Sequence, residues 1–175
     1  MGTVSDLHWL VVAGVSGSGK TTVARVVAEQ LGRVFVDADD LHPAANVDKM
    51  RRGQPLSDAD RLPWLERIET RLAMDSPGGS GVLACSALRR SYRDFLQYDE
   101  PRVHFCLLEV SPDVARRRLE GRREHFMPAT LLDSQLATLE PLEPDELGFT
   151  VNADPPLEVV VADVLQAWAH VTAGP

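Results

Sequence analysis

Residues 14–21 read GVSGSGKT, directly after the apolar run HWLVVA at residues 8–13 and directly before a stretch in which Val23, Val26, Val27 and Leu31 recur at helical spacing. Strand, glycine-rich turn and helix, in that order, are the context a Walker A phosphate loop requires. The glycines let successive backbone N–H groups turn inward, the helix N-terminus adds partial positive charge, and Lys20 is placed to reach the β and γ phosphates of a nucleotide. A turn that merely caps a helix would match this pattern by chance on the order of once in a hundred chains of this length. Gly14, Val15, Ser16, Gly17, Ser18, Gly19, Lys20, Thr21 and Thr22 are therefore the expected contacts to ATP, with the Thr21 hydroxyl expected on Mg²⁺.

Outward from the loop, the apolar runs Trp9 to Ala13, Val34 to Val36, Val82 to Cys85, Val103 to Leu108 and Phe149 to Val151 are short, β-branched and not alternating. That is the pattern of strands covered on both faces. Helical stripes lie between and after them, at Leu65, Ile68 and Leu72, at Tyr92, Phe95 and Leu96, and longest from Leu157 to Trp168. Ser111, Pro112 and Asp113 read as a helix start with a capping hydroxyl. The β-α alternation predicts a three-layer α/β/α fold on a five-stranded parallel sheet, one domain over residues 1–175, with ligands at the carboxyl ends of the strands. Trp9, Trp64 and Trp168 sit on apolar faces and read as core, as do Cys85 and Cys106, too few and too isolated for a zinc site or a disulfide framework.

The 175 residues carry 18 Lys and Arg against 26 Asp and Glu, a net charge of −8. Such a field repels nucleic acid and anionic membrane, so neither is an expected partner. Residues 1–7 contain Asp6 and no basic stretch, and no apolar run reaches membrane-span length, which places the expected location in the cytoplasm.

Two features beyond the loop suit phosphoryl transfer. The second strand runs into Asp37, Ala38, Asp39 and Asp40, and strand alternation would put Asp37 and Asp39 on one side. One carboxylate there can orient Mg²⁺ and the other can accept the proton of an attacking hydroxyl. A solvated turn with an Asp cap explains the same residues without function. Arg116, Arg117, Arg118, Arg122 and Arg123 form a basic cluster after the fourth strand, read as a lid over about residues 116–135 rather than a solvated helix face.

Three further blocks follow in order: DADDLHPAANVDKMRRGQPLSDADRLPWL from Asp37 to Leu65, CSALRRSYRDFL from Cys85 to Leu96, and REHFMPATLLDSQLATLEPLEPDE from Arg123 to Glu146. With the loop, they make the chain resemble the gluconokinases, P-loop small-molecule kinases related in architecture to shikimate kinase. The resemblance implies ATP-dependent phosphorylation of D-gluconate to 6-phospho-D-gluconate and suggests a homodimer. It puts Asp37 on the metal with Thr21, and Asp39 at the substrate as candidate base. His42, Lys49, Arg61, Ser86, Arg89 and His125 fall around the substrate, Arg118 and Arg122 in the lid, and Asp154 and Pro155 at the adenine pocket. Lys20, Asp39 and Arg122 are the expected catalytic residues. The chain departs from the family pattern at Ala38, where Gly is usual, at Arg89, where Lys is common, and at Glu124, where Gly is common.

A polyol carboxylate needs a bidentate cation and hydroxyl partners, which Arg61 and Arg89 can supply. A kinase for shikimate, adenylyl sulfate or a nucleotide would share every catalytic element, and only the CSALRR and REHF blocks separate it. A nucleotide-binding regulator that transfers nothing would need no second pocket bearing acids and arginines.

Overall fold

The structure, a computed structural model, describes residues 8–74, 79–97, 103–121 and 130–173. In chain order the elements are β1 (Trp9–Ala13), α1 (Lys20–Leu31), β2 (Val34–Asp37), a 3₁₀ turn (Ala38–Leu41), α2 (Ala44–Arg51), α3 (Asp58–Met74), β3 (Gly81–Cys85), α4 (Arg90–Gln97), β4 (Val103–Glu109), α5 (Pro112–Glu120), α6 (Thr130–Thr138), β5 (Gly148–Asn152) and α7 (Leu157–Thr172). All five strands are parallel, in the order β2-β3-β1-β4-β5.

The apolar runs are continuous because both sheet faces are covered. Trp9, Val11 and Ala13 point to one side, against Trp64, Ile68 and Leu72 of α3 and Tyr92 and Leu96 of α4. Leu10 and Val12 point to the other, against Val23 and Val27 of α1 and Val160, Val164 and Trp168 of α7. All three tryptophans are buried, as are Cys85 and Cys106, both free thiols. Burial pushes the Cys85 thiol up to about 12 and raises that of Cys106 as well, so neither is a nucleophile.

A third cluster, Val15, Leu88, Ala115, Leu119 and Leu132, lies beyond the carboxyl ends of the strands and packs α5 and α6 onto the phosphate loop. The chain reverses strand order around β1, which pairs β3 on one side and β4 on the other. A crevice forms at such a switch point.

Two local features differ from the sequence expectation. Asp37 ends β2, and its Oδ1 accepts the Asp39 N–H at 3.0 Å, so a turn folded on its own Asp side chain, not strand alternation, brings the two acids together. The Ser111 hydroxyl makes no cap bond; the Ser111 N–H instead donates to Asp154 Oδ1 at 2.8 Å, and Pro112 supplies the preset first turn.

Candidate active site

The phosphate loop leaves β1 and enters α1 through Gly19, whose φ of +88° lies in the left-handed region and which offers no side-chain cap; no acid occupies the first turn of α1. The helix thus begins with its N–H groups uncapped by side chains, the state in which a phosphate can cap it. Gly17 is required twice over. Its φ is +81°, and a Cβ there would stand 2.6 Å from the Ala115 carbonyl oxygen of α5. Arg118 braces the back of the loop, with Nη1 donating to Ser18 O at 3.3 Å and Nη2 to Ala153 O at 2.8 Å. With the Ser18 carbonyl held on Arg118, the trans peptide turns the Gly19 N–H the opposite way.

Thr21 Oγ1 donates to Asp37 Oδ2 at 3.0 Å. Two oxygen donors this close beside a phosphate loop suit a hard divalent cation, which takes its remaining positions from water and phosphate. Among the described residues no group of three or more His, Cys, Asp or Glu could cage a metal alone. The donor set fits Mg²⁺ shared with a nucleotide and fits no self-sufficient metal site.

A cleft opens between the loop, the 3₁₀ turn, α3, the end of β3 and α6. Ser16, Lys20, Asp39, His42, Arg61 and Ser86 all line it, so six of the sequence-predicted residues meet in one place. His42 stacks on Trp64 at 4.4 Å between ring centroids and 8° between planes. Its Nδ1 lies 3.3 Å from Asn46 Nδ2, which can only donate, so the ring proton belongs on Nε2. Burial, aided by the Arg61 charge, lowers the His42 pKa to about 4, so the ring is a neutral hydrogen-bond donor at neutral pH. Arg61 Nη1 donates to Leu56 O at 2.7 Å and Tyr92 Oη at 3.1 Å, which fixes the guanidinium plane.

Ser86 stands on a strained turn. Ala87 has φ +39° without being glycine. Arg93, fully buried in α4, holds that turn through the Ala87 and Leu88 carbonyls and ties it to the segment after α6 through the Glu140 and Pro141 carbonyls. Its charge is met by Glu146, at 2.5 and 2.9 Å. Burial alone would raise the Glu146 pKa, but the Arg93 hydrogen bond and the Glu143 N–H outweigh it and hold the carboxyl below its ordinary value.

Of the described residues predicted at the substrate, two do not line the cleft. Lys49 is held by Asp60 at 2.8 Å, and the half-exposed Arg89 by Asp58 at 3.3 Å. Tyr92 donates to Asp58 at 2.5 Å, which with the Arg89 and Arg61 charges draws the Asp58 carboxyl below its ordinary value. The cleft also contains residues that the sequence reading left out: Gln54, Trp64, Ser134, Gln135 and Thr138. The signal for the last three was visible, since Ser134, Gln135 and Thr138 recur at one-face spacing.

A second pocket, of about 250 Å³, opens on the other side of the loop and is lined by Ser18, Gly19, Thr22, Arg118, Pro155 and Leu157, among others. Pro155, expected at the adenine pocket, is one of its lining residues. The Asp154 carboxylate is turned away to Ser111. Arg122 and His125 lie outside the described residues. Of the expected lid, residues 116–120 belong to α5, where Leu119 is buried and Arg116 pairs with Asp133 of α6 at 2.9 Å, and residues 130–135 begin α6.

Comparison with known proteins gives one answer. The model of the "AAA domain" family matches residues 10–142. A gluconokinase of Gluconobacter oxydans is 48% identical over 160 residues, 91% of this chain and 90% of that protein. The crystal structure of a gluconokinase from Sinorhizobium meliloti superposes with a TM-score of 0.86 at 40% identity, covering 95% of this chain and 94% of that one. Shikimate kinase from Aquifex aeolicus shares the fold alone, with a TM-score of 0.59 at 16% identity over 95% of this chain and 99% of that one. With a phosphate loop, a polar cleft beside it and near-full-length identity of this order, the chain belongs to the gluconokinase family of P-loop kinases.

Proposed function

We propose that this chain transfers the γ-phosphoryl group of ATP to the terminal hydroxyl of D-gluconate, giving 6-phospho-D-gluconate and ADP. The observation that carries the reading is the cleft in which Lys20 of the phosphate loop and the Asp39 carboxylate stand together with His42, Arg61 and Ser86. It is polar and carries a cation, as a polyol carboxylate requires.

The loop residues 14–22, Lys20 among them, bind the triphosphate, and Arg118 and Pro155 border the base. Thr21 and Asp37 hold Mg²⁺, which when bound neutralises charge on the β and γ phosphates. Asp39 accepts the proton of the attacking hydroxyl. Arg61 is assigned the gluconate carboxylate in preference to Arg89, because Arg61 lines the cleft and Arg89 is held on Asp58 outside it. His42 and Ser86 serve the hydroxyls, while Lys49 acts from the rim through Asp60. Arg122 is proposed as a lid residue and His125 as a substrate residue, within a lid over about residues 116–135 of a single domain. A homodimer and a cytoplasmic location are proposed on family membership alone. Among the described residues no helix is long and apolar enough to cross a membrane.

The test is a panel of acceptors read by ADP release. With gluconate, shikimate, adenylyl sulfate and nucleoside monophosphates offered in turn, kcat/KM for gluconate should exceed the others by about 100-fold or more. Preference for any other acceptor would refute the substrate assignment.

A further inference from the structure

Helix α6 packs Leu132 and Leu136 into the apolar cluster that contains Val15 of the phosphate loop. That anchoring carries one polar side chain onto the loop itself. The Ser16 N–H donates to Gln135 Oε1 at 2.6 Å, across 119 residues of sequence. Only the carbonyl oxygen of a carboxamide can accept this hydrogen, so the orientation of the planar group is fixed and Nε2 is its donor end. Gln135 also lines the cleft with Lys20 and Asp39.

A cap for the Ser16 N–H needs only an acceptor, which a carboxylate or a water would supply. The carboxamide adds a donor in the same rigid plane and adds no negative charge. Both properties matter beside a polyanion. A donor aimed at the transferred group stabilises charge there, whereas a carboxylate in the same position would repel it.

We propose that Gln135 is a substrate-contacting residue of the transfer step, its Oε1 held by the Ser16 N–H and its Nε2 donating to an oxygen of the γ-phosphoryl group. The proposal rests on the kinase reading above. In the step, the acceptor hydroxyl oxygen forms a bond to the γ phosphorus. The bond from that phosphorus to the β-phosphate oxygen breaks, and its electron pair leaves on ADP. The hydroxyl proton passes to Asp39, and Gln135 keeps its own hydrogens throughout. ADP lacks the group that Nε2 contacts, so the contact distinguishes ATP from ADP.

The test compares Gln135→Glu and Gln135→Ala in the full chain, with affinities for ADP and for a nonhydrolysable ATP analogue measured by calorimetry beside kcat. Glu keeps the shape and the acceptor for Ser16 but replaces the donor with an anion. Gln135→Glu should bind ADP within about twofold of wild type, bind the analogue about tenfold or more weakly, and lose about 100-fold or more in kcat. Gln135→Ala, which removes the donor without adding repulsion, should fall between the two. A residue that merely caps Ser16 gives the opposite order, with Glu near wild type in kcat and analogue affinity and Ala the worse variant; that result overturns the proposal. If wild type fails to phosphorylate gluconate, the substrate reading fails, but the analogue and ADP affinities of the variants still decide the role of Gln135.

Discussion

Lys20→Ala is expected to lower kcat by about three orders of magnitude, some 4 kcal/mol of transition-state stabilisation, while leaving the circular dichroism spectrum unchanged. The two halves of that expectation have separate physical grounds. Lys20 opens α1 at the mouth of the cleft and is not among the buried residues, so removing its side chain leaves no cavity in the core. Its charge, however, stands beside the uncapped start of α1, where the β and γ phosphates would lie and where negative charge shifts during transfer. Turnover within about tenfold of wild type would remove the loop from the mechanism.

Asp39→Asn and Asp37→Asn are expected to fail differently. Asp39 lines the cleft, whereas Asp37 faces Thr21 with one oxygen and the Asp39 N–H with the other. Asp39→Asn should lower kcat by about 100-fold or more with little change in the Mg²⁺ concentration for half activity. Asp37→Asn should raise that concentration about tenfold or more, because an amide is a weaker ligand for a hard cation. It retains one oxygen for the Asp39 N–H, so the turn that holds Asp39 survives. Magnesium titrations of both variants decide the matter, and the reverse pattern would exchange the two roles.

The sheet was legible in the sequence because parallel strands covered on both faces have to be apolar at every position, and Trp9 to Ala13 and Val82 to Cys85 are. The phosphate loop was legible because its backbone demands glycine at positions such as Gly17, where nothing larger fits. Helix α2 was not, since only Asn46 and Met50 of its eight residues are buried and no apolar stripe marks it. The site divided along similar lines. Asp39, His42, Arg61 and Ser86 were named from sequence blocks and meet in the cleft, but the same blocks contain Lys49 and Arg89, which Asp60 and Asp58 draw away. Pairing between distant side chains leaves no trace in local spacing. For the same reason the Arg93–Glu146 pair, buried and 53 residues apart, could not be read from the chain. Trp64 was assigned to the core and is there, 1% exposed, yet its outer face supports His42 and borders the cleft.

Identifying the product shows whether one phosphoryl group passes to one hydroxyl. The protein is incubated with ATP, Mg²⁺ and D-gluconate, and the phosphorylated species is isolated and its phosphorus position assigned by nuclear magnetic resonance. 6-Phospho-D-gluconate is expected in equal amount to the ADP formed. Release of ADP with inorganic phosphate alone, or a phosphoryl group on any other oxygen of gluconate, would contradict it.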